Sequence, residues 1–359
     1  MAQDDIFLHV WPQQWNLPSF DPPCLAAITY LQLAIPGKFH IVECNNPDLS
    51  PTGELPYLVH EQQTVATLAL IIKYVAALKN PLSSNASLEG SLDQMAKSQS
   101  IAWWAHIEAN LGDIVYYTMY SHQANWVGLT SPMLASLFPV PQRYYVPGRI
   151  RLSFKPRLEA AGLWNLPDAE KEEKKSFKGD PKNNTEVKTH VFLKAFEREK
   201  VMEKARTSLD IYVRLLGDRD YFFLHRPTIL DIILAAHIQL LTSPAYPDPS
   251  LSNLVTESYP TLVAHTRRVY GFRFSDLTRR NLTSSGFLWS SLIPSPPAAR
   301  KQLKKTEEDV HYDRMRWGFI GLAVGSLASY IVVVGGSRFL AIKAALEKRE
   351  GDLDSEDEL

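Results

Sequence analysis

Few side chains in this chain are typed and spaced for chemistry. Ser19 stands in the turn after a first apolar strand. Trp11, Trp15 and Leu17 surround it, and its expected role is to satisfy the amides of that turn. Cys24 falls inside the next helix and reads as a packing residue. Cys24 and Cys44 form no C-x-x-C pair and adjoin no histidine cluster, so neither a disulfide framework nor a zinc site is expected, and a reducing compartment follows. The ten histidines are scattered, with no i, i+4 pair on a shared face beside an acid. His237, on an apolar run, reads as a core histidine whose tautomer is set by one hydrogen bond. No phosphate-binding loop is present, and the residues call for no metal and no cofactor.

The sharpest local signal lies in "RPTILDIILAAHIQLL", Arg226 to Leu241, where Thr228 and Asp231 have the spacing of a capping box before a nearly all-apolar helix. A helix apolar on every side belongs at a domain's centre, so these two residues are read as structural.

The elements that must position such residues follow from pattern. Ile6 to Trp11 is a strand, and Asp21 to Ala34 a helix with Asp21 as N-cap and Pro22 at its first position. "KFHIVEC" is a second strand. "GELPYLVHEQQTVATLALIIKYV", Gly53 to Val75, reads as a strand entered through Pro56, a polar turn, another strand and a helix beginning at Thr67 and Leu68. Long helical segments follow at Asp93 to Tyr120 and from about Thr189 to Leu216, with a hydrophilic loop at about 168–188 between them. The fold class is α+β. With 38 basic and 39 acidic residues among 359, the charge is nearly balanced, which argues against nucleic acid as a partner. The sequons at Asn85, Asn183 and Asn281 are weak evidence of secretion, because "MAQDDIFLHVW" does not resemble a signal peptide.

From Trp317 to Ser337 no residue carries a formal charge, and as a helix this run is long enough to cross about 30 Å of hydrocarbon. Arg314 and Arg316 flank it on one side, Arg338 and Lys343 on the other. Gly318, Gly321, Gly325 and Ser329 form a small-residue stripe suited either to close packing on another transmembrane surface or to tuning the span's hydrophobicity. The reading is a single membrane anchor at 316–338, after a linker at 291–315 and before a charged, disordered tail at 339–359.

Between Arg143 and Arg157 five bases, Arg143, Arg149, Arg151, Lys155 and Arg157, occur with aromatic residues and no acid. This is either a solvated connection or a docking patch for acidic lipid headgroups or an acidic receptor domain.

The β-α-β start, "GELPYL", "IIKYV", the long helices and "PTILD" resemble the glutathione transferase architecture over roughly residues 5 to 275. That likeness implies a thioredoxin-like domain at 1–80 and an all-α domain at 81–290, with a cis peptide before Pro56. The run "LHVWPQQWNLPSFDPPCLAAITYL", with "RPTILDIILAAH" and the apolar tail, is similar to the metaxin family, in particular its fungal members in the mitochondrial outer-membrane sorting and assembly machinery. In the transferases a Glu-Ser or Gln-Ser pair grips the γ-glutamyl end of glutathione, and a serine or cysteine after the first strand handles the thiol. Here Thr67 and Leu68 fall on the first position and Ser19 near the second, so the resemblance implies a degenerate glutathione site at Ser19, Pro56, Thr67 and Leu68. Leu68 cannot pair an ammonium, and burying that charge unpaired costs several kcal/mol.

The implied role is a non-enzymatic scaffold in the mitochondrial outer membrane, its bulk facing the cytosol and its tail crossing the bilayer. The implied partners are a barrel-forming assembly subunit, a second glutathione-transferase-like or metaxin-like subunit, the import translocase and membrane lipid. The alternatives are a membrane-anchored glutathione transferase and a tail-anchored relative acting in mitochondrial morphology.

Overall fold

The computed structural model describes residues 6–78, 88–164, 184–271, 279–281 and 314–330. Strand β1 (Ile6–Val10) pairs parallel to β2 (Phe39–Glu43) and antiparallel to β3 (Tyr57–His60), and β3 pairs antiparallel to β4 (Gln63–Ala66). Burial along β1 alternates, with Ile6, Leu8 and Val10 inward, as a pleated strand with one covered face requires. The β1-to-β2 crossover is helix α1 (Pro22–Ala34). Its N-cap Asp21 accepts a hydrogen bond from the Cys24 amide at 3.4 Å, and Pro22 fills the first turn, where a missing N–H costs nothing. Helix α2 (Leu68–Ala77) follows β4 and packs on α1.

Beyond the sheet come α3 (Gln94–Ile107), continued by two wide turns at Glu108–Gly112 and Tyr117–Ser121, then α4 (Ser131–Leu137), α5 (Val146–Ser153) and α6 (Lys155–Ala160). Helix α7 (Asn184–Leu216), α8 (Ile229–Thr242) and α9 (Pro260–Val269) complete the helical layer. Helix α7 begins before the expected Thr189, because Glu186 and Lys188 are good helix formers rather than loop residues. The rest of the expected charged loop, residues 168–183, lies outside the described residues. Helix α8 touches α1, α3 and α9 and is buried on nearly every side, which its all-apolar sequence demands.

Sheet and helices share one hydrophobic core, and residues 1–283 form one compact unit. A strand that the sequence pattern does not suggest, β5 (Arg279–Asn281), joins the sheet parallel to β2, giving the order β4-β3-β1-β2-β5. The chain thus returns to its first sheet after completing the helical layer.

The second unit spans 284–359, of which 314–330 are described and helical. Trp317, Leu322, Val324, Leu327 and Tyr330 are all exposed, and a Cβ added to Gly318, Gly321 or Gly325 would meet nothing within 4 Å. Among the described residues no helix is long and apolar enough to cross a membrane. The expected span runs on to Ser337, and its part from 331, like most of the linker and the whole charged tail, lies outside the described residues.

Candidate functional site

The fold brings Ser19, Pro56, Thr67 and Leu68 to one end of the sheet. The Leu55–Pro56 peptide is cis, and the Pro56 carbonyl accepts a hydrogen bond from the Thr67 amide at 3.3 Å. Thr67 is the N-cap of α2, yet its side chain makes no cap bond and its φ is +72°, a region that β-branched residues avoid. Leu68 is 7 % exposed and belongs to the core, so its side chain offers a ligand neither donor nor acceptor. After β1 the chain makes a tight turn in which Trp15 and Asn16 both take positive φ, closed by reciprocal Gln14–Leu17 backbone bonds. Trp11 and Trp15 pack on Phe20, with centroids 5.3 and 6.3 Å apart, so aromatic rings occupy the turn that leads into α1.

Ser19 corrects one expectation. Its hydroxyl is fully buried and makes no hydrogen bond of good geometry, so it does not satisfy the amides of its turn. It lies beside the Cys24 thiol instead. Burial, followed by the nearby Asp21 charge, holds that thiol well above its ordinary range, against the opposing contacts from Trp11 and Ser19. A buried, protonated thiol is a poor nucleophile. Burial also pushes Asp21 up to about 7, against the hydrogen bonds from Cys24 that favour its charged form.

Thr228 and Asp231 form a buried polar cluster in the core. Asp231 Oδ2 accepts from the Thr228 amide at 2.8 Å and its hydroxyl at 2.6 Å. Oδ1 accepts from the Phe222 amide at 3.0 Å and from His265 Nε2 at 2.8 Å, and both side chains are fully buried. Sequence spacing reveals the box but not His265, which lies 34 positions on. His237 donates from Nδ1 to the Ile233 carbonyl at 2.8 Å, and burial lowers its pKa to about 4, so it stays neutral near pH 7.

The basic run divides. Arg151 turns inward, donating from Nε to the Tyr120 carbonyl at 2.8 Å and lying over the rings of Trp126 and Trp164. Arg157 pairs through Nε with the buried Asp113 at 2.7 Å, donates to the Glu108 carbonyl at 2.6 Å and stacks on Tyr116. These two arginines hold α5 and α6 to the α3 continuation, while the Arg157 side chain stays 42% exposed. Arg143 and Arg149 remain exposed, and the partly exposed Lys155 lies 3.9 Å from Glu159. Asp113 escapes sequence reasoning, although a lone acid inside the apolar "LGDIVYY" is a signal that a buried partner exists.

A concavity in the helical layer is lined by Tyr117, His122, Asn125, Arg198, Asp248 and Ser250 among others. The Asp248 carboxylate is shared by His122 at 3.3 Å, Arg198 at 3.1 Å and the Ser250 amide at 3.1 Å, while the Asp248 amide donates to Asn125. Burial lowers the His122 pKa, against the attraction of Asp248. The arrangement ties the 244–250 turn to the helices beneath it. Among the described residues no group of three histidines, cysteines or acids is placed to hold a metal.

Comparison with known proteins agrees with this geometry. Residues 24–151 match the Tom37 family model, an outer mitochondrial membrane transport complex protein, and residues 205–269 match the glutathione S-transferase C-terminal domain. Metaxin-1 of Macaca fascicularis is 24% identical over 91% of this chain and 90% of its own length. A metaxin-1 homologue of Caenorhabditis briggsae is 23% identical over 84% and 85%. Among solved structures, a glutathione transferase from Phanerochaete chrysosporium aligns with 77% of this chain and 100% of its own at 13% identity and TM-score 0.45. The matched outer-membrane transport segment and the metaxin relatives converge: the chain is similar to the metaxin family over most of its length.

Proposed function

We propose that this chain is a non-enzymatic subunit of the machinery that sorts and assembles β-barrel proteins in the mitochondrial outer membrane. Its work is positional: it supports the barrel-forming subunit from the cytosolic side, lies beside a second glutathione-transferase-like subunit, and couples the assembly to the import translocase by raising effective concentration. The run 316–338 anchors it, with 339–359 on the far side of the bilayer. The match of residues 24–151 to the outer-membrane transport family carries the reading. The exposure of apolar side chains along 314–330 supports the anchor, since water-facing rings and aliphatic chains need a cover.

The test is purification of the full chain from mitochondrial membranes in mild detergent. A β-barrel protein in near-equal amount is the expected companion, and its absence would remove the assembly role.

The alternative of an anchored glutathione transferase is disfavoured by Leu68, which gives a bound ammonium no partner. The full chain is expected to pass through immobilised glutathione unretained. Specific retention with turnover of an electrophile would revive the enzyme reading.

A further inference from the structure

From Ile114 to Leu158 the chain carries no Asp or Glu, yet it has Arg143, Arg149, Arg151, Lys155 and Arg157. The structure sorts these into two layers. Arg151 and Arg157 reach inward to the Tyr120 carbonyl and to Asp113, while Phe154 stacks on Tyr120 at 4.3 Å and on Tyr116 at 4.6 Å. The inner layer makes α5 a fixed platform. On its outside, Arg149 and Leu152 stand one turn apart, and Pro147 with the half-buried Val146 and Ile150 forms the inward face. The turn Gln142–Tyr144 packs against α5 and adds exposed Arg143, Tyr144 at 70 % exposure and, just before it, Val140 at 52 %.

We propose that this surface, Val140, Arg143, Tyr144, Arg149 and Leu152, docks on an anionic bilayer. Separate apolar tips alternate with guanidinium groups. That pattern suits a headgroup region, where rings and aliphatic ends enter while arginines pair with phosphate. A protein hot spot would instead gather its apolar groups in one desolvated centre. The absence of carboxylates over the whole segment removes repulsion from acidic lipid. The uncharged run from Trp317 to Ser337 names the occupant, because it ties the chain to a bilayer. The inference deepens the reading above and rests on its anchorage, and it concerns lipid alone rather than any protein subunit.

The full chain, transferred from detergent, is mixed with vesicles of phosphatidylcholine and, separately, with vesicles in which about a third is phosphatidylinositol. Flotation reports the anchor, and amide hydrogen exchange across 142–153 reports the docking. The expected result is flotation with both, with exchange several-fold slower on the anionic vesicles and the difference lost at ~0.5 M salt. Arg143→Gln/Arg149→Gln removes two exposed charges and leaves Arg151 and Arg157 in place. At about fivefold per arginine, the variant weakens docking on the order of 20-fold and equalises exchange on the two lipids. Equal exchange in the unmodified chain on both vesicle types overturns the docking and leaves the anchor standing. Flotation on anionic vesicles alone, abolished in the double variant, supports the patch while removing the anchor, and flotation on neither overturns both. Slowing seen only in the complex with protein subunits gives the surface to a protein and overturns the lipid assignment.

Discussion

Asp231 offers the strictest test of how this body is held together. Its carboxylate takes four donors, the Thr228 amide and hydroxyl, the Phe222 amide and His265 Nε2, in a site without exposure to water. Asp231→Asn keeps the shape and replaces one acceptor oxygen with a donor. If the new amide group takes the Oδ2 place, the Thr228 hydroxyl can rotate to accept, but the Thr228 backbone N–H is orphaned. In the Oδ1 place it orphans the Phe222 N–H and confronts His265, whose Nδ1 is already buried without a partner. Either way at least one buried amide loses its acceptor at about 1–3 kcal/mol, and a charge-assisted bond is lost besides. The sum is about 2–4 kcal/mol, or roughly 5–15 °C in Tm for a unit of this size. The assay is thermal and urea unfolding of the full chain in detergent, combined with Thr228→Ala in a double-mutant cycle. Because the two residues share bonds, the double variant should lose clearly less than the two single losses added. A loss below about 1 kcal/mol for Asp231→Asn, or additivity within about 0.5 kcal/mol, would refute the idea that one buried carboxylate organises α8.

Two further substitutions probe the N-caps of α1 and α2. Asp21 is raised to about 7 in the folded chain by burial, so folding holds a proton there and stability falls as pH climbs from the ordinary carboxylate range through 7. Asp21→Asn keeps an equally good N-cap and removes the charge. It is expected to raise the unfolding free energy from urea titration at pH 8 by on the order of 1–2 kcal/mol and to change it little at pH 4, and an equal effect at both would sink the argument. Thr67→Gly relieves a β-branched residue at φ +72° that makes no side-chain cap bond. A gain of about 0.5–1 kcal/mol is expected by urea titration, and a loss would mean that the threonine side chain contributes packing that outweighs its backbone strain.

How much of the protein is legible in its sequence depends on the range over which each feature is decided. Asp21 with Pro22, and Thr228 with Asp231, are set within three or four residues, because a cap needs only an oxygen and an amide one turn apart. The all-round apolar character of α8 likewise dictates a central position, since no surface could keep it in water. The leucine at position 68 fixes, from the sequence, that its side chain cannot pair a charge.

Tertiary structure alone decided the rest. Arg149 and Arg151 differ by two positions in the same basic run, yet one is exposed and the other lies over two indole rings. Composition cannot separate them, because the choice is made by the acceptors and rings that other segments bring. His265 completes the Asp231 cluster from 34 residues away, and Arg157 meets Asp113 from 44. Strand β5 joins the first sheet beside β2 from the far end of the helical layer, through a partner edge that no local pattern encodes. Caps and amphipathic periods are short-range physics and can be read along the chain. Buried charges and edge strands answer to whatever the folded chain places opposite them, and only the assembled core supplies that.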